Sequence, residues 1–235
     1  SNNYISNILK KSYNNKNIEY LILHNIPNII SDKVALINCK DKNNLSKTEY
    51  KKIINLSMQI IENTLSEDVL FLINNDCNIK NQSIFYNTKN LIIYINEFIY
   101  NSNKYKTGKK NFNLKNIIIY SLKNDLKNIQ KSIKYGLIIS KSIKYTEDLT
   151  NKSPNILTQS FIINEAYNLS KIYKNISIKI INEKEIKKLQ MNSILFITKN
   201  NQNIIIMEYS CEQKNKTLIF ITKKTFNYKN ISFIH

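Results

Sequence analysis

Short runs of β-branched and aromatic residues alternate along this chain with longer runs whose apolar residues recur every three or four positions. That alternation selects an α/β architecture, strands joined through crossover helices, over an all-helical or all-β one. The runs predict strands at Tyr20–His24, Val34–Cys39, Val69–Ile73 and Asn116–Ser121. Between the second and third, Ser46-Lys47-Thr48-Glu49 has the form of a capping box, in which Ser and Glu satisfy each other's unpaired amides at a helix start. Behind it Ile53, Ile54, Leu56, Ile60, Ile61 and Leu65 follow the helical period, which predicts one buried face. A second helix is expected from Ser83 to about Tyr100, and Asn101–Asn113, polar and containing Gly108, reads as a loop.

Downstream, one long helical pattern runs from Lys123 to about Leu149 and carries Ile129, Ile133, Leu137, Ile138 and Tyr145. It is expected to end at Asn151-Lys152-Ser153-Pro154, because proline disfavours helix in the residue before it. Beyond it the spacing predicts a helix from about Thr158 to Tyr173, a strand at Ile176–Ile181 and a short helix at Glu183–Leu189. Three strands are expected after that, at Ile194–Thr198, Ile204–Tyr209 and Thr217–Thr222.

Composition matters most through what is missing. The chain has 235 residues, 2 Gly, 2 Pro, no Trp and a net charge of +18, and all 35 basic residues are lysine. Without arginine the planar fork that reads guanine or clamps phosphate is lacking, so polyanion binding would be non-specific and salt-sensitive. The lysines are scattered through every segment, and the favoured residues Ile, Asn, Lys and Tyr share AT-rich codons. A drift-enriched solvated surface accounts for the charge as readily as a nucleic-acid site does. With glycine only at Gly108 and Gly136, neither a dinucleotide fingerprint nor a phosphate-cradling loop nor a nucleophile elbow can be assembled.

Of the two histidines, His24 falls inside a predicted strand and His235 is the last residue, so histidine-based zinc chemistry has little material. Cys39, Cys77 and Cys211 show no paired spacing and read as buried thiols in a reducing compartment. Asn151-Lys152-Ser153 matches a glycosylation acceptor by chance in an Asn-rich chain. No apolar run reaches bilayer length, and the opening residues lack the pattern of a secretory signal, so no membrane partner and a cytoplasmic location are expected. The last aspartate is Asp148; Glu165, Glu183, Glu185, Glu208 and Glu212 follow, and Glu183 and Glu185 are expected to pair with Lys187 or Lys188.

The segment Lys144–Thr158, KYTEDLTNKSPNILT, resembles the start of the catalytic domain of the cytosolic leucyl aminopeptidase family, with Asp148, Leu149, Asn151, Pro154, Asn155, Leu157 and Thr158 at the positions of that family's motif. INEKEIKKLQMNSILF at Ile181–Phe196, IMEY at Ile206–Tyr209 and TLIFITKKTF at Thr217–Phe226 follow in the same order. Upstream, YLILHNIPNIISDKVALINC at Tyr20–Cys39 and the helix around Tyr50–Leu65 are similar to the amino-terminal domain of the bacterial members.

The resemblance implies an α/β fold in which a macro-like mixed sheet flanked by helices is joined by a long helix to a second α/β domain. Residues 1–121 would form the first domain, 122–150 the connecting helix, and 151–235 an incomplete start of the metallopeptidase domain. It implies a hexamer in which two divalent metals, manganese or zinc, activate a water that releases amino-terminal residues from peptides.

The family's first metal-binding stretch, Gly-Lys-Gly-x-Thr-Phe-Asp-Ser-Gly-Gly, corresponds here to Thr222–Asn230. There Lys223 matches a ligand lysine, Asn227 stands at a ligand aspartate, and the catalytic lysine would fall at Ile234. A neutral amide neither cancels metal charge nor bridges two cations as a carboxylate can. The reading is therefore a truncated and degenerate family member, with no catalytic residue, Lys223 as a remnant ligand and no cofactor expected for this chain alone. Two other readings stand beside it. One is a non-specific nucleic-acid-binding module using Lys104, Lys106, Lys109 and Lys110, with Lys10, Lys11 and Lys16 near the start, that binds DNA weakly. The other is a fragment that associates with itself or with a chain supplying the missing half.

Overall fold

The computed structural model describes residues 3–12, 19–39, 45–72, 79–100, 113–120, 126–192 and 203–210. The elements are α1 (Tyr4–Ser12), β1 (Tyr20–His24), β2 (Lys33–Ile37), α2 (Lys47–Thr64), β3 (Asp68–Leu72), α3 (Ile84–Ile99), β4 (Asn116–Tyr120), α4 (Leu126–Thr150), α5 (Gln159–Ile172), β5 (Ile176–Ile181), α6 (Glu183–Lys188) and β6 (Ile204–Tyr209). The chain divides into two compact units, Ser1–Glu147 and Asp148–His235.

In the first unit β1 and β2 form an antiparallel hairpin, with Tyr20 opposite Ile37 and His24 opposite Lys33. Its loop turns through Asn25 (φ 49°) and Asn28 (φ 64°), a left-handed geometry that asparagine tolerates better than most residues. The Asn25 amide donates to the Asp32 carbonyl at 2.9 Å and closes the loop.

Helix α2 begins as its residues require. The Glu49 amide donates to Ser46 Oγ at 3.2 Å, and the Ser46 amide donates to a Glu49 carboxylate oxygen at 2.8 Å. At the other end the Lys33 ammonium donates to the Thr64 carbonyl at 3.0 Å, placing a cation where the helix dipole is negative. Ser46→Ala should lower stability by about 0.5 to 2 kcal/mol, read as an earlier urea midpoint with unchanged slope. An unchanged midpoint would show that the box contributes nothing.

Strands β3 and β4 run parallel through the crossover containing α3, with Leu70 opposite Ile118 and Leu72 opposite Tyr120. The alternation of strand side chains sends Val69, Phe71, Ile117 and Ile119 toward the helices. There they meet a core built from Tyr50, Ile54, Met58 and Ile61 of α2 and Leu91, Tyr94 and Ile95 of α3, with Leu45 and Ile79 beside them. Polar residues of both helices are buried beside it, among them Ser57, Asn87, Thr88 and Asn90. Asn87 is fully buried; its side-chain oxygen accepts from the Ile79 amide at 3.3 Å, and its carbonyl accepts from the Tyr50 hydroxyl at 3.3 Å.

Helix α4 packs through a narrow strip, Ile129, Ser132, Gly136 and Ser140, all buried. The Ser132 and Ser140 hydroxyls donate back to the Ile129 and Gly136 carbonyls, so neither presents an unsatisfied group.

In the second unit β5 and β6 pair antiparallel, Ile176 opposite Tyr209 and Ile181 opposite Ile204. Helix α6 opens with a capping box of its own between Asn182 and Glu185. Leu157, Ala166, Ile181 and Ile186 are buried.

The architecture is the expected mixture of sheets flanked by helices, with several differences. Helix α1 is not foreseen by the periodicity reading, because its first turns are rich in Asn and Ser, weak helix formers. Leu65, assigned to the buried face of α2, instead takes the left-handed cap position (φ 51°) and is exposed. Leu137, Ile138 and Tyr145 lie on exposed surface of α4, since the small residues 132, 136 and 140 define its packing side. The described strands pair as three separate two-stranded ladders, one parallel and two antiparallel. The strands expected at Ile194–Thr198 and Thr217–Thr222 lie outside the described residues.

Candidate functional site

The motif around Asp148–Thr158 forms the turn between α4 and α5, and its residues have definable local roles. Asp148 and Leu149 close the last turn of α4, and the Lys152 amide donates to the Leu149 carbonyl at 3.2 Å. Pro154 follows in the turn, where its missing amide hydrogen costs nothing. The Ile156 and Leu157 amides both donate to the Ser153 carbonyl at 2.9 Å, tightening the chain into a single turn. Leu157 is buried, and Thr158 caps α5 by accepting the Phe161 amide at 3.2 Å. The Lys152 ammonium stands 5.0 Å from the centre of the Phe161 ring, a cation–π contact that ties the turn to the helix. Gln159 donates from its side-chain amide to the Asn203 carbonyl at 3.0 Å, fastening α5 to the approach to β6.

Two carboxylates of this unit are engaged in secondary structure. Glu183 pairs with Lys187 at 2.8 Å across one helical turn, as its spacing predicts, and Glu185 completes the α6 capping box by accepting the Asn182 amide at 3.1 Å. Glu208 lies exposed on β6 opposite Ser177. No group of three or more His, Cys, Asp or Glu side chains converges among the described residues. Lys223, Asn227 and Ile234 lie outside them, as do the loop lysines Lys104, Lys106, Lys109 and Lys110, and Lys16. Lys10 is exposed on α1.

In the first unit, His24 ends β1 in an exposed position opposite Lys33, an edge histidine with no acid beside it in the register. The half-buried Cys39 thiol contacts the Ile37 carbonyl at 3.7 Å; Cys77 and Cys211 lie outside the described residues. Burial, then the neighbouring Tyr86 and Glu97, push the Tyr94 phenol above the ordinary tyrosine value. The Lys115 ammonium is raised by its hydrogen bond to Glu67, at 2.8 Å on the surface. Both shifts keep the group in its neutral-pH state. Neither produces an acid or base poised for chemistry near neutrality.

Sequence reasoning missed the Asn182–Glu185 box and the buried amide of Asn87. The first carries a readable signal, Asn followed three residues later by Glu. The second has none, because an asparagine inside an Asn-rich chain looks like any other.

No helix among the described residues is long and apolar enough to cross a membrane. Comparison with known proteins converges on one family. Residues 144–227 match the cytosol aminopeptidase family, catalytic domain. A probable cytosol aminopeptidase of Aeromonas salmonicida (strain A449) is 27% identical over 241 residues, covering 99% of this chain and 48% of the relative. One from Aliivibrio fischeri (strain MJ11) is 30% identical over 217 residues, covering 89% and 43%. The chain thus spans about half the length of the curated relatives it matches. Among solved structures, a mutant of tomato leucine aminopeptidase superposes with a TM-score of 0.66 at 16% identity, over 92% of this chain and 43% of the other. Residues 144–227 thus match the catalytic domain of the cytosol aminopeptidase family, nearly the whole chain is similar in sequence to probable cytosol aminopeptidases, and it shares the fold of a leucine aminopeptidase.

Proposed function

We propose that these 235 residues correspond to the amino-terminal α/β domain (1–121), the connecting helix (122–150) and the first part of the catalytic domain (151–235) of a two-metal aminopeptidase, and that they do not hydrolyse peptides by themselves. The observation that carries this is the donor set. The stretch matching the catalytic domain runs from Lys144 to Asn227, yet beyond Asp148 the chain holds only five carboxylates. Of these, Glu183 and Glu185 are engaged in an ion pair and a helix cap. Two adjacent divalent cations need several anionic oxygens between and around them, and Asn227 offers a neutral amide where the family has an acid. The residues present do not fit the metal pair.

What remains is a scaffold: a folded first domain and a turn, helix and hairpin that in a longer relative would lead toward the site. The relatives are named for the cytosol, and a cytosolic location follows from that kinship.

The test is hydrolysis of leucine-p-nitroanilide by the purified chain with manganese or zinc added. The expected result is no metal-dependent turnover. Clear turnover abolished by a chelator would overturn the reading, because a working metal pair would then be held by residues considered unfit for it.

A further inference from the structure

We draw no further inference here: the strongest candidate, the outward face of the β3–β4 ladder, where Leu70 stands opposite Ile118 and Leu72 opposite Tyr120 with all four side chains exposed, is an unpartnered apolar patch, and nothing in the structure shows what covers it.

Discussion

Gly136→Ala lowers the stability of the first unit by about 1 to 3 kcal/mol, although alanine is the better helix former by about 1 kcal/mol. An ideal Cβ at Gly136 would lie 2.8 Å from Ile92 Cβ, 3.0 Å from Ile92 Cγ2 and 3.0 Å from the Lys89 carbonyl oxygen. None of these atoms is the far end of a flexible side chain. A Cβ and a backbone oxygen move only if α3 itself moves, and α3 is anchored by Leu91 and Ile95 in the core. The helices must therefore separate at their crossing, which loosens the buried contacts of Ile129 and Ser132. Overlap outweighs propensity because propensity acts on one residue while the displacement is shared along both helices. The check is urea denaturation of the variant beside Ser142→Ala, an exposed position on the same helix expected to change stability by no more than about 0.5 kcal/mol. A Gly136→Ala protein as stable as the parent would show that the two helices do not meet this closely.

Met58→Ala costs about 2 to 5 kcal/mol, the range for emptying a packed interior site. Met58 is 0% exposed and lies within the cluster that joins α2 to α3 and the β3–β4 ladder. Its neighbours are held from both sides, by the helix pair and by Val69, Phe71, Ile117 and Ile119, so the space left behind cannot readily collapse. With a domain's total stability of about 5 to 15 kcal/mol, a loss at the upper end leaves much of the chain unfolded at physiological temperature. Leu72→Ala is the matching control. Leu72 points away from that cluster, is 66% exposed and should change stability by less than about 0.5 kcal/mol. Equal losses at the two positions would mean that the core has been assigned to the wrong face of the ladder.

The candidate site divides in a similar way. Leu157 and Thr158 stand in the sequence only as positions of the family motif, and the structure makes the first a buried anchor and the second the cap of α5. Lys223 and Asn227 carry the chemical argument, and they rest on motif correspondence alone because they lie outside the described residues. The sequence offers Glu183 and Glu185 partners in Lys187 or Lys188, since residues one helical turn apart need no tertiary information, and the structure pairs Glu183 with Lys187 while Glu185 serves the helix cap instead.

Local chemistry, then, was determined by the sequence alone: the Ser46–Glu49 box, the strand runs, the helix break before Pro154, the poverty of carboxylates after Asp148. Each depends on residues within a few positions of one another, so the relevant energies are present in any short stretch of chain. Tertiary structure alone decided which side of α4 is buried, that Gly136 serves a close helix crossing, that Asn87 is a core residue and that Leu65 is not. Those outcomes depend on what another element brings within about 4 Å, and a periodic pattern marks a face without naming what meets it. In α4 the apolar residues were the visible signal, yet the small residues made the contact, because backbones approach most closely where side chains are shortest.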